Sequence, residues 1–300
     1  MNEKKINAKC EVVKLLLVFA IEICIMIGTT VVVQVLETTS NKSISMLTIS
    51  VVIYALLIAT ILVYTSIKGE KFLPSLGFKK IKASTVFFTV LLTIVSGPMV
   101  TFANLLSQMF VPNTVLQASD DILGSNFLMS FIATAIIAPI AEEIICRGFF
   151  ANRLRRYMPL LATAIVSALL FAILHLNINQ AFYAFVLGII FVYANNASGS
   201  IFTSIIMHML TNGGNLLLLY CVSRFVSQMG GNLAELAEQG RANQSSMVTS
   251  LVFFGVLSIG SFFLSRMVIN AIARNEGNLP ETSEAPIQEG DVKGTTEETE

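Results

Sequence analysis

The sequence predicts an all-α, polytopic integral membrane protein of about eight transmembrane helices, with both termini cytoplasmic. Three observations carry this prediction. Hydrophobic residues make up 54% of the 300 and charged residues only 13%, about half the charged share of an ordinary soluble domain, and the mean hydropathy is +0.75. The apolar residues are gathered into runs approaching the ~20 residues that cross a hydrocarbon core as a helix. Runs such as AIVSALLFAILHL are apolar on every face, whereas strands of a membrane barrel alternate apolar and polar positions.

The runs, in order, are Val12–Leu36, Ile44–Ile67, Ala83–Phe110, Asn126–Phe150, Pro159–Leu176, Gln180–Ala194, Ile201–Cys221 and Met247–Ile269. The sixth is the shortest. The first follows Lys4, Lys5 and Lys9 but is too long for the apolar core of a signal peptide and has no small-residue cleavage site, so it reads as a retained helix. Of the basic residues, all but Lys42, Arg224 and Arg241 fall on alternate connections. They precede the first run, follow the second, cluster at Arg147–Arg156 after the fourth and recur at Arg266 and Arg274. An even number of crossings places these connections, and both termini, on the cytoplasmic side.

Residues 1–274 therefore read as one membrane-embedded helical domain, and 275–300 as an acidic, disordered cytoplasmic tail. The longest polar stretch before the tail, about Ser223–Ser246, predicts a short outer helix capped by Asn232 and stopped near Gly240. Gly97-Pro98 predicts a kink or interruption in the third helix. Pro139 predicts a kink in the fourth that frees the carbonyl of Ala135, and Gly213-Gly214 an irregularity in the seventh. None of the four cysteines has an evident disulfide partner.

Ionisable groups at membrane depth are costly, on the order of 3 kcal/mol or more each at the bilayer centre, so each is a candidate functional residue. The fourth helix carries Glu142, Glu143 and Arg147, and the stretch between Arg156 and Arg224 holds no other charged residue but both histidines, His175 and His208. On a helix, positions four apart share a face and adjacent positions diverge by about 100°. Glu143 and Arg147 thus pair, leaving Glu142 to face another helix. His208 and Asn212 project together, as do Phe171 and His175. Taken singly, each residue has a plain structural role: an ion pair, a satisfied core histidine, an asparagine joining two helices. Glu22 reads as a packing or cavity-facing residue.

The ordered set EEIICR at Glu142–Arg147, FAILH at Phe171–His175 and HMLTN at His208–Asn212 resembles the CPBP family, the CAAX proteases and bacteriocin-processing enzymes, in its bacterial branch. The resemblance covers about Asn126–Leu216. It implies an intramembrane endopeptidase in a cell membrane, expected to be the bacterial plasma membrane, acting on a membrane-associated peptide or protein. The partners implied are that substrate and the lipid bilayer, with no nucleic acid. By the same resemblance Glu142 activates water, His175 positions it, His208 and Asn212 stabilise the oxyanion, and Glu143 and Arg147 fix Glu142 on its helix. A glutamate mechanism needs no cofactor; in a zinc-dependent version Glu142, His175 and His208 would hold the metal. A non-enzymatic immunity or scaffold protein keeping the same constellation is the alternative from another class.

Overall fold

In a computed structural model, which describes residues 2–117, 119–124 and 126–278, the chain is all-helical and contains no strand among those residues. The long elements are α1 (Asn2–Ser40), α2 (Met46–Ile67), α3 (Ala83–Gln108), α4 (Phe127–Leu154), α5 (Leu160–Leu174), α6 (Ile178–Ser198), α7 (Phe202–Gln228), a short amphipathic α8 (Leu233–Ala242) and α9 (Gln244–Glu276). Seven of them, all but α5 and α8, are long and apolar enough to cross a membrane. The chain is a multi-pass membrane protein.

The eighth expected crossing corresponds to α5, which has 15 residues and spans about 22 Å at 1.5 Å per residue, short of a ~30 Å core. The short member is thus the fifth run rather than the sixth. Helix α6 reaches 21 residues because capping extends it past its apolar stretch. The Asn177 side chain accepts from the Gln180 N–H at one end, and at the other the helix continues through Asn195 and Asn196 to Gly199 in a left-handed cap. Helix α5 stops because Leu176 turns left-handed, at φ 48°.

Hydrogen bonds show which helix ends lie together. Lys68, after α2, reaches Glu11 of α1 at 3.0 Å. Glu70 pairs with Arg153 of α4 and, at 3.2 Å, with Arg156. Lys82, at the start of α3, bonds the Asn275 carbonyl and Glu276 of α9, and the Ser200 hydroxyl after α6 bonds the Lys79 carbonyl. The basic connections therefore form one end of the bundle. Helices α5 and α6 leave that end and return to it, with α5 the short member of the pair.

Prolines and glycines behave differently from place to place. Helix α3 runs uninterrupted through Pro98, so Gly97-Pro98 does not break it. Its neighbour α9 packs against this stretch, Ser258 donating to the Pro98 carbonyl at 3.2 Å and Ser261 to the Val95 carbonyl. Helix α7 also runs unbroken through Gly213-Gly214. A Cβ at Gly213 would lie 3.5 Å from Ala135 and Phe131 of α4, an ordinary van der Waals contact. Helix α4 is the irregular one. Its short α segment Ala138–Glu143 is flanked by π-helical windings at Ala133–Ile137 and Ile144–Ala151, a pattern often found at functional sites.

Helix α8 begins as expected, with Asn232 accepting from the Glu235 N–H, and continues through Gly240 to Ala242. At the other end of the chain, Asn275 and Glu276 belong to α9, and the acidic segment from residue 279 lies outside the described residues.

Candidate active site

The π winding of α4 changes which carbonyl Pro139 leaves without a backbone donor. Ala138 N–H bonds the Ala133 carbonyl, five residues back. By the same step, the missing N–H of Pro139 frees the Thr134 carbonyl, where α-helical counting expected Ala135. Asn212 of α7 fills that place, its Nδ2 donating to the Thr134 carbonyl at 3.1 Å. One amide hydrogen of Asn212 is thereby committed to holding α7 against the break in α4, and the second remains for another acceptor.

The two glutamates of α4 diverge as adjacent helical positions must, yet His208 of α7 meets both. Its Nδ1 lies 3.0 Å from Glu143 Oε1, and its Nε2 lies 3.7 Å from Glu142 Oε2. Glu143 is fully buried and also receives Arg147 Nη1 at 2.7 Å. The ion pair therefore continues to His208; expected to fix Glu142, it makes its further contact with the histidine. Arg147 is 1% exposed, and its guanidinium lies between the rings of Phe171 and Phe191, at 4.3 and 4.9 Å from their centroids. Such stacking is favourable where the cation is desolvated. The same two rings flank His208, each at 5.4 Å.

Glu142 keeps some exposure, 15% for its side chain. It accepts a hydrogen bond from the Tyr54 hydroxyl on α2. Tyr54 was not singled out in the sequence. Its signal there is a tyrosine in mid-span, away from the membrane interface where amphipathic rings usually sit. His175 caps the end of α5, its Nδ1 2.8 Å from the Phe171 carbonyl, and its ring meets the Phe171 ring edge-on at 4.8 Å. Phe171 thus links His175 to the group formed by Glu142, Glu143, Arg147 and His208. With Nδ1–H donating to Phe171, the Nε2 of His175 is left as an acceptor.

Close packing secures the arrangement. A Cβ at Gly188 of α6 would fall 2.7 Å from the Cα of Ala168 on α5 and 3.3 Å from Arg147 Nη2. A side chain there would force apart the two helices that carry Phe171 and Phe191.

Residues 124–214 match the family model described as type II CAAX prenyl endopeptidase Rce1-like. This segment resembles that family. It contains every residue of the site except Tyr54, and the family so described is one of CAAX prenyl endopeptidases. No curated protein and no solved structure matches the chain significantly.

As arranged in the Rce1-like segment, Glu142, His175 and His208 do not fit a zinc site. Among the described residues, no three His, Cys, Asp or Glu side chains are grouped to hold a metal ion. An apolar cavity of about 970 Å³ lies between α3, α5, α6 and α9. It takes Leu169 and Ile173 from α5, which point away from the face of Phe171 and His175, and so is separate from the site.

Proposed function

We propose that the protein is a glutamate-dependent intramembrane endopeptidase of the bacterial plasma membrane, cleaving a peptide bond in a membrane-associated peptide or protein. The observation that carries this reading is the placement of Glu142, a partly accessible carboxylate among membrane helices with His208 Nε2 at 3.7 Å and no Lys or Arg paired to it among the described residues. The buried cation Arg147 is taken by Glu143, so Glu142 is the carboxylate left to do chemistry.

In the proposed reaction Glu142 takes a proton from water as the water oxygen attacks the scissile carbonyl, and later delivers it to the leaving amine. His175 accepts a hydrogen bond from the water at Nε2. The tetrahedral oxyanion receives the second Nδ2–H of Asn212 and the Nε2–H of His208. With Nδ1 donating to Glu143, that last role requires His208 to carry both ring protons. Donors held in place before charge develops are worth more in a water-poor site than in bulk solvent. The Tyr54 hydroxyl holds the second side of the Glu142 carboxylate.

The test compares membrane peptides in cells carrying the wild type or Glu142→Gln, together with cleavage by the purified proteins. Loss of a general base lowers the rate by roughly 10²–10⁴-fold, so products present with the wild type should vanish while the variant unfolds at the wild-type temperature. Full cleavage by folded Glu142→Gln would refute the assignment. Incubation with strong zinc chelators should leave activity within about twofold, because the mechanism routes no step through a metal; abolition by chelator and recovery with zinc would replace it with a metalloprotease.

A further inference from the structure

A second cavity of about 580 Å³, lined in part by Arg147, opens at the basic end of the bundle. Its lining includes five basic side chains, Lys71, Lys79, Arg147, Arg155 and Arg156, against one carboxylate, Glu70. That carboxylate is already committed, since Arg153 takes one of its oxygens and Arg156 the other. Arg147 is matched by Glu143, whereas Lys71 and Lys79 are exposed. The cavity is thus a concave, strongly positive surface.

The path of the chain indicates what fills it. Asn278, the last described residue, is anchored on the rim: its Nδ2 donates to the Ala197 carbonyl at 3.0 Å and lies beside Gly199, itself a lining residue. Residues 279–300 then carry seven acidic residues and one lysine. Four of the acids, Glu281, Glu284, Glu289 and Asp291, follow Asn278 closely. At about 3.3–3.6 Å per residue the first is reached within ~10 Å of chain and the last within ~45 Å, enough to enter a cavity of this size. Tethering also gives these carboxylates an effective concentration on the order of millimolar without any free ligand.

We propose that this cavity is the docking site of the chain's own acidic segment, with carboxylates from Glu281–Asp291 taken up by Lys71 and Lys79. The inference is independent of the proteolytic reading, because it rests on charge and chain path alone. Opposite charges brought together in a partly desolvated cavity attract more strongly than on open surface, and salt weakens the attraction.

Zero-length carbodiimide coupling of the full-length protein in neutral-lipid nanodiscs, followed by peptide mapping, tests this. Amide links from Glu281, Glu284, Glu289 or Asp291 to Lys71 or Lys79 are expected. They should persist on dilution and fall at least tenfold in 1 M salt. A second measurement uses Lys71→Glu/Lys79→Glu, in which a glutamate-specific protease should cut after Glu281 and Glu284 at least tenfold faster than in the wild type. Links that form only between molecules, or run only to Lys80, Lys82 or the α1 lysines, would overturn the proposal. So would equal protease sensitivity of the two proteins. Loss of the links in nanodiscs of anionic phospholipid or on addition of inorganic phosphate, with the protease difference also gone, would assign the cavity to a phosphate group instead.

Discussion

Tyr54 and Glu22 show how differently two polar side chains fare inside the same bundle. The Tyr54 hydroxyl donates to Glu142, and a hydrogen bond to a charged group is worth about 1.5–3 kcal/mol. Tyr54→Phe should accordingly lower cleavage by roughly 10–100-fold with little change in unfolding temperature, measured on the purified protein; unchanged cleavage would remove Tyr54 from the site. Glu22 is fully buried on α1, and neither of its oxygens has a hydrogen-bond partner among the described residues. An unsatisfied buried polar group costs about 1–3 kcal/mol, so Glu22→Met should stabilise the protein by an amount of that order, read as a higher midpoint of thermal unfolding in detergent. A lower midpoint would mean that Glu22 has a partner that the packing of α1 does not reveal. The faces of Glu142, Glu143 and Arg147 were legible from helical spacing alone. The meeting of His208 with both glutamates was not, because it depends on how α7 lies across α4.

At the scale of elements, the site depends on one irregular helix and one tight pair. Helix α4 changes winding on both sides of Ala138–Glu143, and Asn212 closes the gap that Pro139 leaves at Thr134. Asn212 thus has a positioning role in addition to its proposed part in catalysis, and the two can be separated. Asn212→Ala should lose cleavage and stability together, whereas Pro139→Ala, by restoring a backbone donor, should recover part of the stability lost in the double variant. Additive losses would show that the two residues are not coupled. In the α5–α6 pair, Gly188 lies so close to Ala168 that Gly188→Val must move backbone. Overpacking of this kind typically costs about 1–3 kcal/mol, and the displaced Phe171 and Phe191 should release Arg147. A lowered unfolding temperature with loss of cleavage is expected. The proline and glycine positions were visible in the sequence, but which of them leave a helix irregular was not: α3 runs through Pro98, whereas α4 changes winding at Pro139 and Asn212 of another helix bonds the carbonyl left there.

For the whole molecule, the connections that carry most of the basic residues meet at one end of the bundle, and the charge distribution alone would predict that end to be cytoplasmic. Cys10 is exposed at that end and α8 belongs to the opposite one. In intact cells, with the other cysteines replaced, a membrane-impermeant maleimide should label Gln239→Cys and leave Cys10 unlabelled; the reverse pattern would invert the topology. By itself the sequence determined the helical membrane class, most helix positions, the short outer helix and the identities of the candidate residues. These follow from hydropathy, spacing and caps, which act within one stretch of chain. Tertiary structure alone decided that α5 is the short pass, that Glu143 and Arg147 hold His208, that Tyr54 joins Glu142, and that Asn212 answers a carbonyl on another helix. Each of these is a contact between distant segments, set by the depth and rotation at which whole helices pack, and no local pattern encodes those two quantities.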